Sequence, residues 1–321
     1  MTTSDNHIFQ KSNPLITMLP KVRGRYTEYV DMSPFTWFRV GGLAEVVFRP
    51  ADAEDLSIFL ENNNEGVPVT VIGATSNLLI RDGGIPGVVI KLGKPFSDIV
   101  LLEETLRIGS AVLNSQAAKV ALNAKRGGLE FLSGIPGTIG GGLRMNAGSY
   151  GTEFKDVLIE AEVIDPSGRL HVIAADELGM GYRCCEIDEG WIFLSALFKA
   201  PFSDSIDIKF KMETIQRQRE KSQPIKKKTG GSTFANPTGY KAWKLIDAAG
   251  CRGKHFGAAK VSEKHCNFLI NTGDAKAHDL ETLGELVRKQ VLDTSGIQLN
   301  WEIRRIGTVK RDISSWSGEK K

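Results

Sequence analysis

Residues 226–237 read Lys-Lys-Lys-Thr-Gly-Gly-Ser-Thr-Phe-Ala-Asn-Pro. Glycines beside a polar side chain let backbone and ligand approach closely, and the lysines upstream suit an anion. Ser232 is either a turn residue ahead of Asn236-Pro237 or a hydroxyl that carries chemistry. Two glycine-rich segments stand upstream. In 71–90 a β-branched run ends at Gly73 and continues through Ala74, Thr75, Ser76 and Asn77. Successive backbone N–H groups in such a turn form an anion-binding nest, and the hydroxyls add donors. The bland alternative is a tight strand-to-strand connection. The second segment, 129–151, holds Gly134, Gly137, Gly140, Gly141, Gly142, Gly148 and Gly151. Each ordered glycine costs extra backbone entropy. Passage of the backbone past a flat or phosphorylated ligand would offset that cost, and a loop between packed elements is the competing explanation.

Neither segment has the P-loop pattern, and the chain holds no G-x-G-x-x-G, which disfavours a Rossmann dinucleotide site. The basic run Arg217, Arg219, Lys221, Lys226, Lys227 and Lys228 reads as a solvated face. It lacks the interleaved aromatics of a nucleic-acid platform, and a net charge of +3 argues no more strongly for nucleic acid. His7, His171, His255 and His278 have no ligand spacing, so no metal is expected. The four cysteines, Cys184, Cys185, Cys251 and Cys266, form no C-x-x-C and point to reduced thiols rather than a disulfide framework. The polar N-terminus and the lack of any apolar run near ~18 residues lead to the expectation of a soluble, cytoplasmic protein with no membrane partner. The last residues, Ser-Ser-Trp-Ser-Gly-Glu-Lys-Lys, read as a frayed tail.

These candidates need elements to hold them. With 321 residues, 41% hydrophobic and 25% charged, the chain has material for two or three domains. Strands at 44–50, 67–73 and 87–92 around a helix at 53–64 make one small α/β unit. A second block starts near 97, with a helix over 114–128 capped by Asn/Ser and Gly-Gly. A hairpin over 157–173 around Pro-Ser-Gly and a strand at 191–200 follow. A third starts near 206: a charged helix at 212–224 stopped by Pro224, a helix at 241–253, a strand at 266–271, a helix at 278–296 and a closing strand at 297–307. On that strand Gln298, Asn300, Glu302 and Arg304 share one face, and Ile297, Leu299, Trp301 and Ile303 the other. The polar face either lines a cleft or meets solvent.

The motifs Thr36–Gly42, Gly73–Ile90 and Ser133–Gly151 together resemble the flavin-binding half of the UDP-N-acetylenolpyruvoylglucosamine reductase family. Residues 230–271 are similar to that family's substrate domain, and the resemblance runs from about Tyr26 to Arg305. It implies an α+β fold: a two-part FAD-binding module of the vanillyl-alcohol-oxidase type, residues 1–95 and 96–205, then an α+β substrate domain, 206–321, whose closing strand and tail return to the module. It implies non-covalent FAD, NADPH as co-substrate using one site in turn with the substrate, and reduction of a UDP-sugar enolpyruvyl ether to UDP-N-acetylmuramate for bacterial cell-wall peptidoglycan, hence a part in cell shape and division. It sets the FAD pyrophosphate at Gly73, Ala74, Thr75, Ser76 and Asn77. The flavin lies along Gly134, Ile135, Pro136, Gly137, Gly140, Asn146 and Gly148. Its catalytic residues fall on Arg183, Ser232 and Glu302, and its substrate contacts on Tyr182, Lys221, Asn236, His265 and Asn267. Three positions depart from the family pattern. Cys185 replaces a serine, Ala235 a lysine, and the phosphate loop reads Gly-Ala-Thr-Ser-Asn instead of Gly-x-Gly-Ser-Asn.

Reduction of an enol ether takes a hydride at one carbon and a proton at its neighbour, and the hydride is the cofactor's contribution. Hydride addition β to a carboxylate builds enolate charge, which a fixed cation and a hydrogen-bond donor stabilise. Arg183 suits the first role. Glu302, if protonated or water-bridged, suits the second, and Ser232 the proton delivery. A sugar-nucleotide binder without turnover and a related FAD oxidase are the competing readings.

Overall fold

The computed structural model describes residues 13–310. His7 and the expected C-terminal tail lie outside the described residues. The first sheet comprises β1 (Arg25–Asp31), β2 (Leu43–Arg49), β3 (Val69–Ile72) and β5 (Ile85–Lys91), in the order β1-β2-β5-β3. Strand β5 has parallel partners on both sides, so Val88, Val89 and Ile90 are buried as a run rather than alternately. Between β2 and β3 lies α1 (Ala53–Glu61), whose start is capped by the Asp52 carboxylate accepting from the Asp55 N–H (2.9 Å). Its Leu56 and Phe59 pack on Phe48 of the sheet. The loop after β3 leads into the short β4 (Leu78–Ile80).

Next come β6 (Ile99–Leu101), β7 (Thr105–Gly109), α2 (Asn114–Asn123) and α3 (Ile139–Arg144), then the two-residue ribbon strands β8 (Gly148–Ser149) and β9 (Thr152–Glu153), and α4 (Phe154–Val157). The expected hairpin forms as β10 (Leu158–Ile164) and β11 (Leu170–Ala174). Together with β12 (Ile192–Lys199) these build an antiparallel sheet of order β11-β10-β12-β7-β6. Leu143 of α3, Phe154, Phe198 and Ile108 share its core. The cap expected on α2 is not made: Leu113 is the N-cap, and the Asn114 side chain is buried inside the helix.

The rest of the chain forms α5 (Ser205–Ser222), α6 (Ala242–Ala248), the small sheet β13 (His255–Phe256), β14 (Ala259–Val261) and β15 (Leu269–Asn271), α7 (Ala277–Ser295) and β16 (Arg304–Ile306). Helix α5 starts seven residues before the expected 212, at an Asp204 cap (2.6 Å to Ile206 N). It ends at Gln223, pushed to extended backbone ahead of Pro224. On α7, Leu280, Leu283, Val287 and Val291 face Ile246 of α6.

The expected closing strand at 297–307 is corrected. Only Arg304–Ile306 is a strand, paired parallel to β4. The extended chain before it changes partner: the N–H groups of Glu302 and Ile303 both reach the Thr233 carbonyl (2.8 and 3.3 Å), and that of Arg304 reaches Asn77 (3.0 Å). The strand expected at 266–271 likewise shortens to Leu269–Asn271.

Candidate active site

A cavity of about 790 Å³ runs between the glycine-rich loops and the 229–232 and 302–306 segments. One end is formed by Gly73, Ala74, Thr75, Ser76 and Asn77 after β3. The Ser76 hydroxyl donates to the Pro136 carbonyl (3.0 Å), which ties this loop to the second glycine segment. Gly134, Ile135, Pro136, Gly137, Gly140 and Gly148 all line the cavity. Gly137 has φ +120°, and a Cβ there would lie 2.9 Å from Ser76 Oγ. Gly142 has the other cause: its Cβ would meet the buried Phe154 ring at 2.2 Å. The glycine density thus comes both from a surface held open toward the cavity and from packing in the core. Thr75, where the family pattern has glycine, adopts φ +54°. Its buried hydroxyl donates to the Phe35 carbonyl (2.7 Å), a contact that holds a backbone costing about 1–3 kcal/mol.

Arg183, Ser232 and Glu302 converge on the same cavity from three separate parts of the chain. Arg183 Nε donates to Glu302 Oε1 (3.0 Å) and Nη2 to the Gly148 carbonyl (3.3 Å). Burial pushes the Glu302 carboxyl above its ordinary pKa, and the Arg183 charge opposes that rise. The Glu302 carbonyl accepts from Asn77 Nδ2 (3.0 Å), so the Gly73–Asn77 loop and the segment carrying Glu302 are joined directly. Ser232 begins an extended stretch wedged between 267–268 and 300–302, bridging Phe268 while Phe234 bridges Trp301. Gly230 before it packs so closely on Phe38 that a Cβ would sit 2.4 Å from the ring. The Ser232 hydroxyl has no hydrogen-bond partner among the described residues and faces the cavity.

Other expected site residues lie elsewhere. Asn146 does not line the cavity; it is fully buried, and its amide joins Glu153 Oε2 (3.0 Å) and the Gly181 carbonyl (2.9 Å). Asn267 is also buried, with both amide atoms on the Phe234 backbone (3.0 and 2.8 Å), behind Ser232. His265 packs edge-on against Phe268, and burial lowers its pKa. Tyr182 and Asn236 meet outside the cavity lining, where the tyrosine oxygen accepts from Asn236 Nδ2 (3.2 Å). Lys221 is exposed. Cys184, Cys185 and Ala235 do not line the cavity, and Cys185 packs against the core of the second sheet.

The sequence reading missed other lining residues. Of the basic run, Arg219 alone lines the cavity, beside Tyr150 and Gln223. Burial lowers its pKa, with Tyr150 opposing. The signal was present: Arg219 follows the buried Ile208 and Ile215 at helical spacing, whereas Lys221 falls off that face. Arg144, Trp37 and the half-buried Lys91 also line the cavity, and so does Arg304, which the sequence places on a face that could meet a cleft. No group of acidic, histidine or cysteine side chains among the described residues could hold a metal, and no helix of the described residues is long and apolar enough to cross a membrane.

The α+β scaffold, the two glycine-rich loops facing one cavity and the half-buried arginine–glutamate pair fit the class that its relatives define, the flavin-dependent oxidoreductases. Residues 44–174 match the FAD binding domain family and 223–306 the C-terminal domain family of UDP-N-acetylenolpyruvoylglucosamine reductase. The chain belongs to the UDP-N-acetylenolpyruvoylglucosamine reductase family. It is 58% identical to that reductase of Paramagnetospirillum magneticum over 92% of this chain and 96% of the relative. Against that of Rhodospirillum rubrum it is 53% identical, over 92% and 94%. The crystal structure of UDP-N-acetylenolpyruvylglucosamine reductase from Thermus caldophilus superposes with a TM-score of 0.77 at 32% identity, covering 89% of this chain and 99% of that one. The fold is therefore that of this family, α+β with an FAD-binding domain over residues 44–174.

The residues present fit the cofactor. A side chain at Gly73 would strike Thr138 Oγ1 at 2.5 Å, and one at Gly137 would fill the space over Ser76. No carboxylate side chain stands in Gly73–Asn77, and Lys91 adds a cation at that end.

Proposed function

We propose that this cavity reduces the enolpyruvyl group of UDP-N-acetylglucosamine enolpyruvate to the lactyl ether of UDP-N-acetylmuramate, with NADPH as the reductant. FAD, when bound, would supply the hydride chemistry between NADPH and the β-carbon of the substrate. Gly73–Asn77 would hold its pyrophosphate through backbone N–H groups, and the Gly134–Gly140 backbone would contact the rest of it.

The protein's own residues do the rest. Arg183 grips the substrate carboxylate with its planar fork and stabilises the charge that builds there. Glu302, held toward its protonated form by burial, orients Arg183 and donates to the same charge. Ser232 delivers the proton to the α-carbon. A serine hydroxyl is a very weak acid, but an enolate carbon is basic enough to take its proton, and the alkoxide is then reprotonated from solvent. Arg219, the one member of the basic run at the cavity, holds the UDP diphosphate beside Tyr150.

Residues 13–95 and 96–205, with β16 returned to β4, form the two parts of the FAD module, and 206–303 form the substrate domain. The reaction belongs to peptidoglycan assembly in the cytoplasm. One observation carries the reading: Arg183, Ser232 and Glu302 line the same cavity as the Gly73–Asn77 loop. The test is an anaerobic spectrum of the holoprotein. NADPH bleaches the flavin, and the enolpyruvyl sugar nucleotide restores its colour. Bleaching without recovery refutes the reductase reading.

A further inference from the structure

The segment Arg144–Gly148 touches the loop that carries Arg183 at every second residue. Arg144 Nη1 donates to the carbonyls of Ile187 (2.8 Å) and Asp188 (3.1 Å), and Nη2 to that of Trp191. Asn146 Nδ2 donates to the Gly181 carbonyl (2.9 Å). The Gly148 carbonyl accepts from Arg183 itself (3.3 Å). The contacts therefore fall on both ends of the 181–191 loop and on the arginine between them.

That loop has little regular structure to shape it. Gly181 and Cys184 close a tight turn through two mutual backbone hydrogen bonds (3.1 and 3.2 Å). Arg183, inside the turn, sits at φ +55°. A non-glycine residue persists in that conformation only where its surroundings over-determine it. Arg144 supplies part of that constraint. It is half-buried, and no carboxylate among the described residues is within ion-pair distance, so three main-chain carbonyls are its compensation. Asn146 supplies the rest from a fully satisfied buried network, its Oδ1 accepting from the Lys155 N–H (3.0 Å).

We propose that Arg144 and Asn146 are positioning residues for the reduction: from the flavin side of the cavity they set the 181–191 loop so that Arg183 meets Glu302 and the substrate carboxylate. This rests on the role given to Arg183 above. Arg144 and Asn146 act through Arg183 and not on reacting atoms. The arrangement links the seat of the cofactor to the grip on the substrate, since one short segment serves both.

The test compares holoenzyme of the wild type, Arg144→Ala, Arg183→Ala and the double variant. Flavin content, anaerobic bleaching by NADPH, and recovery of colour with saturating enolpyruvyl sugar nucleotide are read for each. Arg144→Ala is expected to keep its flavin and its bleaching rate and to slow recovery by about 10–100-fold, the usual effect of a small misplacement of a catalytic group. In the Arg183→Ala background it should slow recovery no further, because both changes remove one function. Arg144→Lys, which keeps the charge but not the three-carbonyl geometry, should fall between, and it carries the test if the alanine variant does not fold. Normal recovery in Arg144→Ala alongside slow recovery in Arg183→Ala overturns this proposal alone. So does a multiplied loss in the double variant, or equal slowing of both half-reactions. Normal recovery in Arg183→Ala overturns the role of Arg183 and this proposal with it.

Discussion

Ser232→Ala separates chemistry from architecture at one atom. The Ser232 hydroxyl bonds to no described residue, and its backbone is fixed independently by the bridge to Phe268. Its loss should change folding stability by no more than ~0.5 kcal/mol. The bound flavin and its bleaching by NADPH should be unchanged, since proton delivery to the substrate has no part in either. If Ser232 is the proton donor, recovery of colour with the enolpyruvyl substrate slows by ~10²–10⁴, which corresponds to roughly 2.7–5.4 kcal/mol of barrier. Anaerobic stopped-flow absorbance resolves the two half-reactions. Ser232→Cys should regain part of the rate, because a thiol also donates. Equal slowing of both half-reactions, or no slowing of either, refutes the assignment.

Ser76→Asp removes the donor to Pro136 and sets an anion against the pyrophosphate seat; the protein should fold, by circular dichroism, and purify colourless, and a fully yellow variant contradicts the placement. For Glu302, the folded pKa lies above the ordinary glutamate value of 4.5. The folded state thus holds that proton more tightly, and its stabilising effect is lost as pH rises from about 4.5 through the raised value. Chemical denaturation over that range should show the wild type losing stability relative to Glu302→Gln; parallel curves dismiss the shift. Gly142→Ala should destabilise by about 1–3 kcal/mol despite alanine's better helix propensity, because the new methyl overlaps the Phe154 ring. An unchanged denaturation midpoint would mean that the ring moves freely.

The hairpin at 158–174 was legible because its turn chemistry and its alternation agree. Helix α7 was legible because Leu280, Leu283, Val287 and Val291 repeat at helical spacing. Strand β1 escaped notice: it is a sheet edge, its residues half-exposed, with no apolar contrast to read. The 297–307 stretch shows why a real alternation can mislead. Leu299 and Ile303 do point inward, as read, but the backbone partners change along it, and side-chain period says nothing about that. At the candidate site, the roles of Arg183, Ser232 and Glu302 came from resemblance; the residues alone left Ser232 between a turn and chemistry, and Glu302 between a cleft and solvent. Asn146 and Asn267 were misplaced because a sequence does not reveal that an amide is turned inward to satisfy the backbone. Arg219 was recoverable from the face of its helix, whereas Arg144 had no sequence signal.

The pairing of β16 with β4 has a consequence for how the enzyme is made. Arg304 lies against Leu78, more than two hundred positions earlier in the chain. Closing so long a loop comes late in folding. During synthesis β4 waits beside the unfinished Gly73–Asn77 loop while the rest of the protein emerges from the ribosome. Asn77 receives both of its partners, Glu302 and Arg304, only at the end. A nascent chain halted before residue 300 can build most of the first two sheets, yet it lacks the strand that fixes the loop. Under the proposed placement of the coenzyme at Gly73–Asn77, its loading is thereby deferred to the nearly complete polypeptide.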